Sequence, residues 1–385
     1  MATMIKPGLV DELHEYGAEA VSTCFNCGNC SAVCVHSEAP FVLPRRSMHA
    51  LQLGLEDKLK GGLEPWLCYY CGECSEQCPK EAEPGETMMS MRRWLTAKYD
   101  FTGIASLFYR SWRWEVFAVV LAAILTGIGF TLFGVWNGGS ISQYDGADAF
   151  LPSAKIHLFD WSMAAVLVVL LGINSARMWR FVTRGGGAES AGSRAPLGSY
   201  LAGLYALPLH FFAQPKYRQC DRKRPWAVHL ALMLSYVTML VLIMFFLREM
   251  ASGPAIDWRV HLFGYLASIG LIVAVVLNLR GRMQKDSPQH THSHESDWMF
   301  LILLLVVAVT GVIQHVLHRA GLDAAANVTY IVHLMAVVPM LVLEVPFGKW
   351  AHMVYRPMAV YLAQVRVHAA EQAAVKAQEA APEAV

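Results

Sequence analysis

The chain has 385 residues, 55% of them hydrophobic, and a formal net charge of +1, so there is no basic excess to support nucleic-acid binding. The length allows two domains. Apolar residues concentrate after residue 114, whereas the first 110 residues hold eight of the nine cysteines. The composition therefore predicts a cysteine-rich head joined to an apolar helical bundle.

The first residues lack the basic start, apolar run and small-residue cleavage site of a signal peptide. The head is therefore predicted to stay in the cytoplasm, where thiols remain reduced. Cysteines in that compartment are expected to bind metal rather than to form disulfides.

Two runs of cysteines share the spacing C-x2-C-x2-C-x3-C, which is typical of two-cluster bacterial ferredoxins. They comprise Cys24, Cys27, Cys30 and Cys34, followed by Cys68, Cys71, Cys74 and Cys78. In such ferredoxins the fourth cysteine of each run ligates the other cluster. The predicted ligands are Cys24, Cys27, Cys30 and Cys78 for one [4Fe–4S] cluster, and Cys68, Cys71, Cys74 and Cys34 for the other. Zinc is the alternative, but it usually takes only four ligands from two C-x2-C pairs.

The segment Ser47–Lys60 between the runs has a helical pattern. We therefore predict a helical ferredoxin-like domain over residues 1–105 with inserted helices. The whole chain is predicted to be all-α.

Six apolar stretches are long enough to cross a bilayer, which needs about 20 residues. They lie near 114–136, 157–181, 226–247, 258–280, 298–318 and 328–353. Lys and Arg crowd the loops after the second and fourth stretches, and the positive-inside rule places those loops in the cytoplasm. The resulting prediction is a multi-pass inner-membrane protein with a bundle over residues 106–365. Both termini and the head are predicted to be cytoplasmic.

Three other segments have simpler predictions. Gly185–Ser193 is a flexible linker by composition, and Leu197–Ala213 is an interfacial helix because it contains Pro208 and leads into a basic stretch. Residues 366–385 are predicted to be a flexible tail, either a frayed helix or disordered. Cys220 lies alone in a basic loop and is predicted to be inert.

Histidine at membrane depth is costly and usually functional, and a neutral imidazole can ligate haem iron. His333 and His352 lie roughly 28 Å apart along the sixth stretch, too far for one haem, which predicts one b haem towards each face. His229 begins the third stretch at the depth of His352, and His261 begins the fourth at the depth of His333. These are the predicted ligand pairs; helix packing or an interfacial position is the alternative. Pro339 and Pro346 would kink the last stretch to bring its two histidines into phase.

Other polar residues of the bundle have open roles. His157, His315 and His318 compete with His261 for the outer haem, and the last two could serve a quinone instead. Glu344, deep in the sixth stretch, is a candidate proton relay to quinone or a structural hydrogen-bonding group. Lys349 could neutralise haem propionates or be an ordinary snorkelling lysine. An H-x-H-x-H loop, predicted to be solvated rather than metal-binding, comprises His290, His292 and His294.

The chain shows no dinucleotide-binding glycine motif, P-loop or Ser/His/Asp signature. It is therefore predicted to transfer single electrons and to react with quinone. Chemistry on a soluble substrate would belong to partner subunits.

The head resembles the iron–sulfur C-type subunits of heterodisulfide reductases in both cysteine runs, in the C-G-x-C-S form of each, and in Leu51–Leu55. The bundle resembles the cytochrome b subunit of respiratory nitrate reductases, whose last span carries H-L and then P-F-x-R-x-x-H. The matching residues here run from His333 to His352. That resemblance implies haem ligation by His229, His333 and His352. It places Met239 where the family has a second ligand.

The fusion of such a head to such a bundle resembles the membrane subunits of quinone-interacting membrane-bound oxidoreductase complexes of sulfate-reducing bacteria. This resemblance implies partner subunits with flavin and iron–sulfur groups, and electron transfer between menaquinone and adenylylsulfate reductase in sulfate respiration. One alternative is the membrane module of a heterodisulfide-reductase-like complex with another acceptor. Another is a redox-sensing membrane protein, which would need an output domain that neither terminus offers.

Overall fold

The computed structural model describes residues 4–144, 149–184, 195–251 and 258–380. The regular elements within these ranges are helices, and isolated β-bridges join Glu38 to Phe41 and Ser140 to Ala149. The predicted helical class is thus confirmed for this part of the chain. The predicted linker at Gly185–Ser193 lies outside the described residues.

The cysteine-rich segment is built from short helices and one longer one. They are α1 (Leu9–His14), α2 (Asn29–Ala32), α3 (Arg45–Gln52), α4 (Glu56–Gly61), α5 (Glu64–Leu67), α6 (Glu73–Glu76) and α7 (Pro84–Tyr99), with a 3-10 turn at Glu19–Thr23. Left-handed glycines precede α2 and α6, namely Gly28 with φ 89° and Gly72 with φ 85°. Because glycine adopts this conformation without steric cost, the C-G-x-C pattern builds the same turn and helix in both runs.

The segment Ser47–Lys60, predicted to be helical, forms the end of α3 and all but the last residue of α4. Gly54 separates them with φ 67°, and a Cβ added there would lie 2.5 Å from the carbonyl oxygen of Lys6. The tight approach of the N-terminal segment therefore requires glycine, and glycine ends the helix.

Six described helices are long and apolar enough to cross a membrane. They are α9 (Trp112–Trp136), α10 (Ser153–Arg184), α14 (Lys223–Ala251), α15 (Trp258–Gln284), α17 (Ser296–Arg319) and α18 (Asp323–Pro339), the last extended by further turns to Phe347. Large apolar side chains on them are exposed, such as Leu132 at 62% and Val168 at 71%. The six predicted stretches therefore form helices of membrane-spanning length, which indicates a multi-pass membrane protein.

The remaining helices lie between and after these spans. They are α8 (Ile104–Arg110), α11 (Leu197–Gly203), α12 (Ala206–Phe212), α13 (Pro215–Gln219), α16 (Pro288–Thr291), α19 (Val345–Phe347) and α20 (His352–Ala380). The predicted interfacial helix Leu197–Ala213 is therefore two short helices. The predicted tail continues as helix α20 to Ala380.

The sixth span changes character after Pro339. A π-helical turn covers Met340–Glu344, and α19 ends at Phe347. Gly348 then adopts an extended conformation with φ −100° and ψ −158°. Proline withholds a backbone donor and favours such irregular turns.

This break separates two predicted haem ligands. His333 lies in α18, whereas His352 is the first residue of α20. The kinked span predicted near 328–353 therefore ends, as a membrane-length helix, at Phe347. The directions in which the two histidines leave the backbone are therefore set by the irregular turns between them and not by a single kinked helix.

The chain folds into two compact units. Unit 1 comprises Met1–Gly103, Ile173–Trp226 and His352–Val385, and unit 2 comprises Ile104–Gly172 and Ala227–Ala351. Unit 1 thus holds both cysteine runs together with two later segments of the chain.

Aromatic side chains form part of the core of unit 1. Trp66, Tyr99 and Tyr355 are each at most 1% exposed. The Tyr355 ring centroid lies 5.3 Å from that of Trp66 and 5.3 Å from that of Tyr99. Burial of such rings contributes strongly to stability, so α20 is an integral element of unit 1 at its N-terminal end.

A buried ion pair on α7 ties unit 1 together. The Arg93 guanidinium binds the Glu86 carboxylate and donates to Tyr16 O at 2.8 Å and Ser90 Oγ at 3.0 Å. The Tyr70 hydroxyl donates to Glu86 Oε2 at 2.7 Å. Both charged groups are less than 10% exposed, and both have hydrogen-bond partners.

Replacing Arg93 with alanine is expected to destabilise unit 1 by about 3–5 kcal/mol, because it leaves a buried carboxylate without its cation. The control is Arg222→Ala, which breaks the exposed pair with Glu76 at 2.7 Å and should cost about 0–1 kcal/mol. The measurement is the urea concentration at which unit 1 becomes sensitive to a short protease pulse in detergent. Equal midpoints for the two variants would contradict the assignment.

Candidate functional site

The first group of cysteines surrounds an open cavity in unit 1. Cys24, Cys27 and Cys30 of the first run line it together with Cys78 of the second run. Burial raises the pKa of the Cys30 thiol, and the sulfurs of the other three raise it further. The four sulfurs are thus close enough to repel one another as thiolates, a repulsion that a bound cationic group would relieve.

The second group forms in the same crossed manner. Burial raises the pKa of Cys34 to about 12, and Cys68 and Cys71 add to the shift. Burial also raises the pKa of Cys74, and its sulfur neighbours include Cys68, Cys71 and Cys34. Cys34 therefore lies with the second run rather than with its own.

The two groups are adjacent, because Cys30 of the first also raises the pKa of Cys74 in the second. In the described part of the chain, no three His, Cys, Asp or Glu side chains converge closely enough to hold a single metal ion. In a [4Fe–4S] cube each thiolate ligates a separate iron, so its ligands need not converge on one point. The eight thiols, as a donor set, suit two such cubes.

Two guanidinium groups meet beside the second group. Arg92 and Arg356 both donate to the carbonyl oxygen of Cys68, the latter at 3.0 Å. Arg356 also stacks on the Tyr69 ring, 3.8 Å from its centroid. Burial and the neighbouring Arg356 lower the pKa of Arg92 to about 9. Positive charge at this position favours an anionic group on the nearby sulfurs.

Backbone amides also point at the sulfurs. The Tyr70 amide donates to Cys68 Sγ at 3.3 Å, and the Ala82 amide donates to Cys78 Sγ at 3.4 Å. Such hydrogen bonds stabilise negative charge on sulfur and help to set the potential of an iron–sulfur cluster.

Cys220, predicted to be inert and alone, is a fully buried neighbour of the second group. Its Sγ lies 3.5 Å from His36 Nε2, and its thiol shares a hydrogen bond with Cys71. Tyr69 and Tyr217 pack around it. This contact joins segments far apart in the sequence, which cysteine spacing cannot reveal; the inertness of Cys220 stays a prediction.

His333 sits in a defined environment within unit 2. Its Nδ1 lies 2.9 Å from Thr310 Oγ1. A Cβ added to Gly311 would be 3.2 Å from His333 Cε1, so the glycine leaves room for the imidazole. A hydrogen bond at Nδ1 orients the ring and leaves Nε2 as the nitrogen suited to metal ligation.

His261 lies beside His315, one of its predicted competitors, with ring centroids 5.3 Å apart. Its Nε2 is buried and has no hydrogen-bond partner among the described residues. A buried ring nitrogen without a partner is costly, and coordination of a metal would satisfy it. This orphaned atom fits a haem ligand.

The other two competitors are held by protein contacts. The His318 ring stacks on Tyr144 with centroids 3.8 Å apart, and its Nδ1 lies 3.0 Å from Asp323 Oδ1. His157 Nε2 accepts from Trp161 Nε1 at 2.8 Å. The contact at Nε2 makes His157 a poorer candidate for ligation, whereas the contact at Nδ1 of His318 leaves its Nε2 available.

The remaining predicted ligands lie in different units. His229 belongs to the part of α14 in unit 2, and His352 begins α20 in unit 1. Their pairing stays a prediction.

In the histidine loop, His290 Nδ1 lies 2.7 Å from Asp286 Oδ1 and His294 Nδ1 lies 2.9 Å from Ser296 Oγ. That this loop is solvated rather than metal-binding stays a prediction.

Glu344 faces a second buried carboxyl group. Glu115 on α9 shares a hydrogen bond with it, and the two residues are 1% and 0% exposed. The sequence did not predict a role for Glu115, because an acidic residue in the first turn of a helix is ordinary.

Lys349 is ion-paired to Asp297 Oδ1 at 2.5 Å, so its cation already has a partner within unit 2.

Comparison with known proteins identifies the cysteine-rich segment. Residues 19–82 match the 4Fe-4S dicluster domain family. A protein from Archaeoglobus profundus, named as similar to the C-type subunit of heterodisulfide reductase, is 33% identical over 104 residues, 27% of this chain and 55% of that protein. The iron-sulfur C-type subunit of the CoB--CoM heterodisulfide reductase from Methanopyrus kandleri is 33% identical over 82 residues, 21% of this chain and 42% of that protein. The chain spans about half the length of these relatives.

A longer match extends beyond the head. Citrate utilization protein B from Escherichia coli is 26% identical over 313 residues, 75% of this chain and 78% of that protein. No solved structure matches the chain. The chain therefore has a 4Fe-4S dicluster domain within a longer chain that includes six helices of membrane-spanning length.

Proposed function

We propose that this chain is the membrane electron-transfer subunit of an oxidoreductase complex. It would hold two [4Fe–4S] clusters in unit 1 and two b haems on its histidines. The observation that carries the proposal is the crossed grouping of eight cysteines in a chain with six helices of membrane-spanning length.

Bound in these places, the clusters and haems would supply single-electron carriers between a menaquinone pool and cytoplasmic partners. The protein's own part is to hold and insulate them. Arg92 and Arg356 supply positive charge beside the second cysteine group, and the amides of Tyr70 and Ala82 support the sulfurs. The head and both termini would lie on the cytoplasmic side, as the distribution of Lys and Arg favours.

The proposed haem ligands are His229 with His352 for the inner site and His333 with His261 for the outer site. The hydrogen bond from Thr310 supports His333, and the orphaned Nε2 supports His261. His315 is the alternative outer ligand because it neighbours His261. Lys349 would act near the haem propionates only if its pairing with Asp297 opened.

The partners follow from the relatives and from the fused architecture. Relatives named as the C-type subunit of heterodisulfide reductase, or as similar to it, support a role beside other subunits in a heterodisulfide-reductase-like complex. Flavin- and iron–sulfur-containing partner subunits, and adenylylsulfate reductase as the final acceptor, rest on the resemblance to quinone-interacting oxidoreductases. The alternative is a heterodisulfide-reductase-like complex that serves a different acceptor.

Purification of the tagged chain from native membranes in mild detergent tests the partners. We expect two flavin-containing subunits to co-purify, with adenylylsulfate reductase after mild cross-linking. A subunit with additional cysteine-rich catalytic motifs, and no adenylylsulfate reductase, would favour the alternative acceptor. Recovery of the chain with no flavoprotein would contradict both.

A further inference from the structure

Two buried carboxyl groups meet where three membrane-length helices begin or end. Glu115 lies in the first turn of α9, and Glu344 ends the π-helical turn that follows α18. Asp297 lies in the first turn of α17 and acts electrostatically on Glu115, as does Glu295. All four belong to unit 2.

The facing oxygens of this pair have few donors. Apart from the hydrogen bond between the two carboxyl groups and one from the Lys349 backbone amide to Glu344, no described group donates to Glu115 Oε1, Glu344 Oε1 or Glu344 Oε2, which are buried. An ionised carboxylate can only accept hydrogen bonds, whereas a protonated one can also donate. Two carboxylates in contact inside an apolar bundle therefore require at least one proton, because two adjacent buried negative charges are prohibitively costly.

The backbone is shaped to admit the Glu344 carboxyl group. A Cβ added at Gly348 would lie 2.2 Å from Glu344 Oε2 and 2.9 Å from its carboxyl carbon. Any larger residue at position 348 would displace the carboxyl group. The π-helical turn over Met340–Glu344 is the kind of irregularity that is frequent at functional sites.

Polar groups connect the pair to the edge of the unit. Asp297, a neighbour of Glu115, is 13% exposed at its side chain and binds both Arg282, at 3.4 Å, and Lys349, at 2.5 Å. The Lys349 side chain is 36% exposed. Asp297, which acts electrostatically on Glu115, and its partner Lys349 thus give the buried pair polar neighbours that are partly exposed.

We propose that Glu115 and Glu344 hold one shared proton and form a proton-exchange site at this end of the helical bundle. In exchange, the shared proton leaves to water reached through Asp297 and another replaces it, so the pair keeps a charge of −1. This deepens the membrane part of the proposed function, because quinol oxidation releases protons that the protein must conduct. It does not depend on whether the clusters or haems are bound.

Infrared spectroscopy of the full chain in lipid nanodiscs at pH 7, in H2O and in D2O, tests the proposal. We expect a carbonyl band of a protonated carboxylic acid that shifts to lower frequency in D2O. The band should change in Glu115→Gln and in Glu344→Gln, and it should disappear in the double variant. Glutamine keeps the shape of glutamate and offers an N–H in place of the shared proton, so each single variant should keep its fold.

Asp323→Asn is the matched control, because Asp323 lies in the first turn of α18, at the opposite end of the sixth span from Glu344, and its side chain is 34% exposed; the band should be unchanged. The proposal is overturned if the wild-type chain has no such band, if neither single variant alters it, or if the band persists unshifted in D2O. A band that does not shift in D2O would mean that the shared proton does not exchange with solvent and has only a structural role. Iron, sulfide and haem contents of the same samples test the proposed electron-transfer function separately.

Discussion

Replacing Cys78 with alanine is expected to abolish the same iron–sulfur cluster as replacing Cys24, although the two cysteines belong to different runs. Cys78 lines the cavity of the first run, and its sulfur acts on Cys30. Loss of one of four thiolate ligands should lower the iron content from about eight to about four per chain. Iron and sulfide analysis with electron paramagnetic resonance of the reduced protein would measure this.

The reciprocal variants sharpen the test. Cys34→Ala should abolish the signal that Cys68→Ala abolishes, and it should retain the signal lost in Cys24→Ala and Cys78→Ala. Cys220→Ala is the matched control: a buried cysteine beside Cys71 that is not a proposed ligand should leave about eight irons in place. If Cys78→Ala instead pairs with Cys68→Ala, the crossed assignment is wrong.

Replacing His352 with alanine is expected to remove one b haem, and His229→Ala should remove the same one. A b haem held by two histidines loses half of its axial ligation when either is replaced. The pyridine haemochrome content should fall from roughly two haems per chain to roughly one. A redox titration of the remaining haem should give the same single potential in both variants.

His333→Ala should remove the other haem, and it should leave the one lost in His352→Ala. His318→Ala is the control, because the proposal assigns His318 to neither haem, and it should leave roughly two haems per chain. Undiminished haem content in His352→Ala would refute the inner site. Loss of different haems in His229→Ala and His352→Ala would refute their pairing.

Local sequence patterns were sufficient for the helices and for the turns within the two cysteine runs. Uninterrupted apolar stretches specify membrane-length helices because burial in lipid demands them. The cysteine runs could be interpreted because C-x2-C spacing and a left-handed glycine together determine how each loop turns. Each of these patterns is formed by residues that lie close together in the sequence.

Long-range contacts could not be predicted in this way. The approach of Cys220 to His36 and Cys71 depends on how the loop around α13 folds back within unit 1. The meeting of Glu115 with Glu344 depends on the packing of α9 against the end of the sixth span. No periodicity in either segment encodes such a partner.

The outer haem ligand shows the same limit. The position of His261 at the start of the fourth stretch predicts it as a ligand, but only the folded unit places His315 beside it and leaves its Nε2 without a partner among the described residues. The end of the sixth span shows a similar limit. Pro346 predicts a kink in a continuing helix, whereas the helix ends at Phe347 and Gly348 is extended. The backbone conformation of a glycine is decided by its neighbours as much as by the residue itself.

The most direct test of the central claim is the iron, acid-labile sulfide, zinc and haem content of the purified wild-type chain, prepared without oxygen. The account predicts about eight irons in clusters, about eight sulfides and roughly two b haems per chain. A chain that contains zinc on its cysteines, or about four irons and no haem, would contradict it.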